Sequence, residues 1–189
     1  MVAARADYRV KSRQDVKPDA CVEDAKSAVR WFRAHTAEQG VDPDRIVAAG
    51  GSAGGHIAAC AAFTPGMDAP GEDLKVSSKP NALVLFNPVL RFSGVPALMK
   101  RIDGDEKLGD AISPNLHIGK DAPPALILLG TDDKLAPMGD AYIARAKEHG
   151  ARAELFTAEG QGHSFFNREP WKERTTARMD EFLTSLGYL

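Results

Sequence analysis

A serine set among glycines is the feature of the sequence best suited to covalent chemistry. Residues 50–54 read GGSAG, so Ser52 is the centre of a G-x-S-x-G pattern. In that pattern the serine occupies a strained strand-to-helix turn, and glycines flank it because side chains would collide across the turn. The apolar run at residues 46–49 predicts a buried strand before the turn, and the alanine-rich residues 57–62 favour a helix after it. We therefore predict that Ser52 is a nucleophile.

The same glycines admit another interpretation, a phosphate-binding turn. A P-loop requires a lysine after its glycines, and a dinucleotide fingerprint requires the spacing G-x-G-x-x-G; residues 50–56 provide neither. The helix that begins after Ser52 instead directs its first N–H groups and the positive end of its dipole towards the serine. That arrangement suits the oxyanion formed when a serine attacks an acyl carbon, so the pattern favours acyl chemistry.

A serine hydroxyl is a poor nucleophile at neutral pH, so it needs a base to take its proton and an acid to orient that base. In parallel sheets such groups gather at the carboxyl ends of the strands, in the chain order serine, acid, histidine. His163 fits the base because it lies in a glycine-flanked loop after the last predicted strand. Structural roles are expected for the other four histidines: His35, His56, His117 and His149.

Two neighbouring carboxylates are candidates for the acid. Asp132 and Asp133 come directly after the apolar run at residues 125–129, which predicts a buried strand. An aspartate here also fits a turn or a helix N-cap before Pro137. Position along the chain leaves the choice between the two open.

Strand and helix patterns alternate along the chain. Apolar runs predict strands at residues 46–49, 82–86, 125–129 and 153–157, and a further strand is predicted at residues 2–10. Periodicity predicts helices at residues 22–39, 137–149 and 171–186, besides the helix after Ser52. This alternation indicates a mainly parallel sheet of about five strands with helices on both faces, so the predicted fold class is α/β.

Two segments interrupt the alternation. Residues 63–80 and 91–121 are rich in proline, glycine, serine and charge, which is typical of functional or mobile loops. We expect them to be loop or cap insertions in a single domain spanning residues 1–189, because a chain of this length fits one ordinary domain. A short helix is predicted near residues 97–102, and substrate-facing residues are expected in the same segment.

The composition is typical of a soluble globular protein. The net charge is −2, and no stretch interleaves basic with aromatic residues, so no nucleic-acid partner is expected. Cys21 and Cys60 fall in predicted helices without zinc spacing, so buried thiols are expected and no metal. No apolar run has the length of a membrane span, and the amino terminus lacks the long apolar region of a secretory signal. The sequence as written predicts a cytoplasmic protein without a membrane partner, or a secreted one if a segment precedes Met1.

These residues together resemble the α/β-hydrolase serine esterases close to the hormone-sensitive lipase and the acetyl-xylan or feruloyl esterase groups. The resemblance runs through nearly the whole chain. It rests on DAKSAVRW at residues 24–31, GSAGGH at 51–56, the Ser-Pro pair at 113–114, the Pro-Pro pair at 123–124, GTDD at 130–133 and GHSF at 162–165.

The resemblance implies a role for each part of the site. The acid of that family is the aspartate of a G-T-x-D pattern, which selects Asp133 over Asp132. The N–H of Ala53, next after the nucleophile, is expected to donate to the oxyanion. Members hydrolyse esters of short acids, often acetyl groups on sugars or small aryl esters, without a metal or organic cofactor. The implied activity is therefore carboxylic ester hydrolysis of a small ester by Ser52, His163 and Asp133.

One feature of the family is absent from the sequence. Family members carry an H-G-G or H-G-G-G loop before the serine, whose amides complete the oxyanion hole, and no such loop precedes Ser52. Residues 2–10 resemble the family's fourth strand, so its first three strands are not represented. The strand at residues 46–49 would then present an open edge, which proteins cover by pairing or association. We therefore expect a homo-oligomer formed through this edge.

Three functions remain after these considerations. The leading expectation is a serine esterase that hydrolyses short, acetyl-type esters through an acyl-enzyme. The missing glycine loop supports an alternative, a catalytically weak or vestigial relative that acts as an oligomeric interaction module. A serine peptidase is less well supported, because GSAGG at residues 51–55 resembles the esterase form and no propeller domain accompanies it.

Overall fold

The apolar runs predicted as strands at residues 46–49, 82–86, 125–129 and 153–157 form one parallel sheet. In the computed structural model, which describes all residues 1–189, the strands are β1 (Val47–Gly51), β2 (Ala82–Phe86), β3 (Ala125–Gly130) and β4 (Ala153–Ala158). They lie side by side in chain order and all are parallel. Their carboxyl ends therefore lie together at one end of the sheet.

Helices connect the strands and cover the sheet. The long helices are α2 (Pro18–Ala34), α3 (Ala53–Phe63), α7 (Ala136–Glu148) and α8 (Trp171–Ser185). The short helices are α1 (Lys11–Gln14), α4 (Pro96–Met99), α5 (Glu106–Ala111) and α6 (Pro114–His117), with 3₁₀ turns at Lys100–Ile102 and Phe165–Asn167. The predicted α/β class is confirmed. Helix α2 begins earlier than predicted because Pro18 fits the first turn of a helix.

The core lies on both faces of the sheet, since successive residues of a strand point to opposite sides. One face of β2 and β3 packs on α3 and α7, in a cluster that contains Leu83, Ile127 and the buried ring of Tyr142. The other face packs on α8, in a cluster that contains Leu126 and Phe182. The fold therefore has three layers, with the sheet between two layers of helices.

The strand predicted at residues 2–10 is wrong, and the sheet has four strands where about five were expected. Residues 1–10 form no helix or strand. The N–H of Arg9 donates to Asp24 of α2 at 2.7 Å and the N–H of Val10 donates to Gln14 at 2.8 Å, so side chains take the donors that a strand would use. The guanidinium of Arg9 also pairs with Asp24 and Glu23. The segment is therefore fastened to α2 instead of to the sheet.

Two buried cations of α2 hold the segment that follows α3. Lys26 and Arg30 both pair with the carboxylate of Asp68, at 2.8 and 2.5 Å, and Arg30 also pairs with Glu72. Burial by itself would raise the pKa of Asp68, but the two cations outweigh burial and keep the pKa of this carboxyl below its ordinary value. These ion pairs fix residues 68–72 against α2.

The two segments expected as insertions lie in different places. Residues 64–81 end at Asn81, whose N–H donates to the carbonyl of Ile46 at 2.7 Å, beside the amino ends of β1 and β2. That point is opposite to the carboxyl ends of the strands. Residues 91–121 carry α4, α5 and α6, and the carbonyl of Ile112 accepts a hydrogen bond from His56 of α3 at 2.7 Å. The second segment therefore packs against the helix that follows Ser52.

Candidate active site

Ser52 lies at the sharp turn between β1 and α3. Its backbone has φ 53° and ψ −114°, a strained conformation for a residue with a side chain. Its N–H donates to the carbonyl of Phe86 at 2.9 Å, which ties the turn to β2. The turn requires glycine: a Cβ on Gly50 would lie 2.4 Å from the carbonyl carbon of Gly54. The sequence pattern GGSAG therefore has the steric cause expected of a nucleophile elbow.

A chain of hydrogen bonds joins Ser52, His163 and Asp133. The Oγ atom of Ser52 lies 2.9 Å from Nε2 of His163, and Nδ1 of His163 lies 2.7 Å from Oδ2 of Asp133. The Asp133 side chain is only 3% exposed, and its Oδ1 accepts the N–H of Leu135 at 2.9 Å. The structure therefore brings the three predicted residues together, in the order that proton transfer from a serine requires.

The partners of the imidazole assign its protons. Nδ1 of His163 faces the carboxylate of Asp133, which can only accept, so Nδ1 carries the hydrogen in the neutral ring. Nε2 is then free to accept the hydroxyl proton of Ser52. This is the arrangement of a general base whose orientation a buried carboxylate fixes.

The loop that carries His163 crosses the end of the sheet. It leaves β4, whereas Ser52 follows β1, and three inter-strand spacings separate these strands by about 14 Å. The crossing passes so close to the end of β3 that a Cβ on Gly130 would lie 2.1 Å from the carbonyl oxygen of Gln161. The same carbonyl accepts the N–H of Asp132 at 3.0 Å. Glycine at position 130 thus makes room for the loop to reach Ser52.

Asn87 belongs to the site but was not predicted from the sequence. It follows β2 directly, it is fully buried, and its φ of 35° lies in the left-handed region. Its Nδ2 lies 3.2 Å from Nε2 of His163, and its Oδ1 accepts the N–H of Ser164 at 3.1 Å. A signal was present: Asn87 is a polar residue immediately after a buried strand, the same position that Ser52 occupies after β1.

The predicted oxyanion donor lies at the start of α3. Ala53 is the first residue of this helix, and the N–H groups of a first turn have no acceptor within the helix. Ala53 is also an exposed residue. The positive end of the helix dipole acts at the same place.

None of the remaining candidates hydrogen-bonds to the side chain of Ser52 or of His163. Asp132 is exposed, and His163 bonds to Asp133 instead. His56 is buried, its Nε2 faces the carbonyl of Ile112, and burial lowers its pKa to about 4. The rings of His35 and His117 bond to nearby backbone carbonyls, and Nε2 of His149 is buried without a partner.

No group of three or more His, Cys, Asp or Glu side chains is arranged to hold a metal ion. Both cysteines are free thiols. None of the helices is both long enough and apolar enough to span a bilayer.

Comparison with known families agrees with the geometry. A family model described as an alpha/beta hydrolase fold matches residues 2–167, which is most of the chain. The chain belongs to this alpha/beta hydrolase family. The match includes Ser52, Asp133 and His163, and it also covers Asn87.

Several similar proteins carry esterase names. The chain is 33% identical over 156 residues to the "Probable carboxylic ester hydrolase LipM" of Mycobacterium tuberculosis, an alignment that covers 74% of this chain and 36% of the relative. It is 28% identical to a "Probable isoprenylcysteine alpha-carbonyl methylesterase" of Arabidopsis thaliana, over 97% of this chain and 43% of the relative. The chain thus spans about two fifths of the length of these curated relatives.

Solved esterase structures are similar over almost the whole chain. Esterase 2 of Thermogutta terrifontis, phosphoramylated by tabun, is 44% identical with a TM-score of 0.90, and the alignment covers 97% of this chain and 70% of that chain. The same esterase has been solved with propionate bound, at 43% identity and a TM-score of 0.89, covering 97% of this chain and 71% of that chain. A butyrate-bound form is equally similar in sequence, with a TM-score of 0.88.

Proposed function

We propose that the protein is a serine esterase in which Ser52, His163 and Asp133 form the catalytic triad. The observation that carries the proposal is the hydrogen-bonded chain from Ser52 Oγ through His163 to the buried Asp133. Ser52 attacks the ester carbonyl while its proton passes to Nε2 of His163, and Asp133 stabilises the imidazolium. The imidazolium then protonates the departing alcohol. Water hydrolyses the acyl-enzyme by the same steps in reverse.

The N–H of Ala53 is proposed as a donor to the oxyanion, because it lies at the start of α3 next to the nucleophile. Loss of one oxyanion donor costs about 10²- to 10³-fold in turnover in a serine hydrolase. A site with Ala53 as its only donor would therefore turn over slowly but would still form an acyl-enzyme.

The proposed substrates are small esters of short acids, from acetyl to butyryl. A similar esterase with 43% identity has been solved with propionate bound and with butyrate bound, which supports this range. Aryl esters of acetate, butyrate and octanoate measure the preference, and a higher kcat/KM for octanoate than for acetate would contradict it. The segment 91–121, which packs on α3, is where we propose that substrate-facing residues of this single domain lie.

Replacement of the proposed nucleophile tests the esterase directly. Ser52→Ala removes Oγ and should reduce hydrolysis of an aryl acetate to the background rate. Ser27→Ala is a matched control, because Ser27 lies on α2 and has no part in the site. Wild-type turnover in Ser52→Ala would refute the proposal.

The alternative of a vestigial hydrolase that acts as an interaction module has one supporting observation, the unpaired outer edge of β1. A serine-directed fluorophosphonate probe separates the two functions. A working triad labels Ser52 and leaves Ser52→Ala unlabelled, whereas a vestigial site leaves the wild-type protein unlabelled too. A peptidase remains the weakest proposal, and hydrolysis of aryl anilides at rates similar to aryl esters would be needed to support it.

A homo-oligomer is proposed at the same edge. The outer side of β1 borders a groove of about 690 Å³ that is lined mainly by apolar side chains, including Val29 and Phe32 of α2 and Leu183 of α8. An open edge strand presents unpaired N–H and C=O groups, which favours pairing with another chain. A second copy of this chain, with a net charge of only −2, meets little electrostatic resistance there. Light scattering that gives a monomer mass at every concentration would refute the oligomer.

A further inference from the structure

Asn87 is a buried polar residue that contacts the proposed base, yet the triad chemistry gives it no task. We propose that Asn87 is a positioning residue: its side-chain amide holds His163 in the tautomer that can accept the proton of Ser52. The inference rests on the proposed esterase function. Asn87 touches His163 and the backbone of Ser164, and it does not need to touch the substrate.

The orientation of the Asn87 amide follows from its partners. The N–H of Ser164 can only donate, so the atom that faces it at 3.1 Å is the oxygen Oδ1. The other atom of the amide is then Nδ2, and it lies 3.2 Å from Nε2 of His163. A flipped amide would set two donors against each other at Ser164. The geometry therefore fixes an N–H donor against the basic nitrogen.

The backbone at these positions indicates that the contact is held firmly. Asn87 has φ 35° and Ser164 has φ 66°, both in the left-handed region that costs energy for residues with side chains. Such conformations persist where the surroundings over-determine them, and they cluster at functional sites. Asn87 is also fully buried, so water does not compete for its amide.

The donor at Asn87 selects one protonation form of the ring. Nε2 of a neutral imidazole has one lone pair, and here two donors face it: the hydroxyl of Ser52 at 2.9 Å and Nδ2 of Asn87 at 3.2 Å. A proton on Nε2 would set two N–H groups against each other. Together with Asp133 at Nδ1, Asn87 therefore keeps the proton off the nitrogen that must act as base.

The same contact acts again after proton transfer. When the proton of Ser52 has moved to Nε2, the imidazolium N–H faces the amide donor of Asn87. The contact raises the energy of the imidazolium, so it opposes the transfer from Ser52 and favours the next transfer, from Nε2 to the oxygen of the departing alcohol. The proton is thus moved from Ser52 to the leaving group, and His163 returns to its neutral form.

Asn87→Asp tests the contact of Nδ2 with His163 separately from the hydrogen bond that Oδ1 accepts from Ser164. The new carboxylate keeps an oxygen to accept the N–H of Ser164, but it replaces the donor at Nε2 with an acceptor. It should hold a proton on Nε2, so kcat for an aryl acetate should fall by about 100-fold, within the range that general-base catalysis contributes. KM should change little, and the acid-side midpoint of the pH–rate profile should move to higher pH. The rate of fluorophosphonate labelling of Ser52 should fall in parallel.

Asn81→Asp is the matched control. Asn81 is a half-buried amide at the amino ends of β1 and β2, and its Oδ1 accepts from Arg33 at 2.8 Å and from the N–H of Ile46 at 3.2 Å, away from His163. This variant should keep the wild-type kcat and pH profile. If Asn87→Asp also keeps both, Asn87 only anchors the loop and the inference is overturned.

A second variant keeps the test valid if the buried carboxylate prevents folding. Asn87→Ala introduces no charge but removes the donor. The variant should still fold, with a lower melting temperature than the wild type, and its kcat should fall at least about tenfold. An unchanged kcat overturns the inference. Fluorophosphonate labelling of the wild-type protein distinguishes failure of the esterase proposal from failure of the proposed role of Asn87. A wild type that fails to label refutes the esterase, whereas a wild type and an Asn87→Asp variant that label equally fast refute only the role of Asn87.

Discussion

His56 should make the stability of the protein depend on pH. Its ring is buried on α3, four residues after Ser52, and it packs 5.1 Å from the ring of Phe92. Burial lowers its pKa from 6.5 to about 4, although the carbonyl of Ile112 opposes that shift. Each unit of pKa corresponds to about 1.36 kcal/mol, so protonation of folded His56 costs about 3 kcal/mol more than protonation of the unfolded residue.

The sign follows from proton counting. Between pH 6.5 and about 4 the unfolded chain binds a proton at His56 and the folded chain does not, so the free energy of unfolding rises with pH in this window. The stabilisation is fully present above pH 6.5 and is lost as the pH falls towards 4. From pH 7 to about pH 4.5, this residue alone should remove about 2 kcal/mol from the free energy of unfolding.

Urea unfolding of the wild type and of His56→Gln at these two pH values measures the contribution. Glutamine does not titrate, and its amide N–H can still donate to the carbonyl of Ile112. The variant should therefore lose about 2 kcal/mol less than the wild type on acidification, whatever its stability at pH 7. His117→Gln, at a half-buried histidine, should behave like the wild type. Equal acid losses in the wild type and in His56→Gln would refute the reasoning.

Two further predictions concern the turn at Ser52 and the thiols. Gly50→Ala should destabilise the protein by about 1–3 kcal/mol and abolish labelling of Ser52, because its Cβ would meet the backbone of Gly54. Gly54→Ala is the control: a Cβ at this position has open space, so the variant should melt no lower than the wild type. Equal melting temperatures for the two variants would contradict the steric argument. Cys60 is fully buried with a pKa raised to about 12, so a thiol reagent at pH 8 should modify only the half-buried Cys21 in the folded protein. Rapid modification of two thiols without denaturant would be the opposite result.

The strands that are buried on both faces could be predicted from the sequence. The runs that became β2 and β3 are uninterrupted apolar residues, and both strands are buried on both faces. The run at residues 2–10 failed because its bulky residues, Val2, Tyr8 and Val10, are separated by alanines and charges. An ion pair of Arg9 with α2 then decided its position, and such long-range pairs leave no local pattern.

The candidate site was also predictable only in part. Ser52, Asp133 and His163 each carry a motif or follow a strand, and the structure brings them within hydrogen-bonding distance. Asn87 also follows a strand but belongs to no motif, and its contact with His163 depends on a loop that returns across two strands. The reason for glycine at position 130 was equally hidden, because only the folded chain places the carbonyl of Gln161 above it.

The crossing loop links local chemistry to the cooperativity of the whole domain. The bond between Ser52 and His163 spans 111 positions of sequence and joins the first strand of the sheet to the last. If β4 and α8 detached while β1 to β3 remained paired, the nucleophile would keep its shape but lose its base. Reactivity of Ser52 therefore reports the assembly of every strand at once. It should disappear earlier on heating than helical content, as the first sign of a partly opened native state.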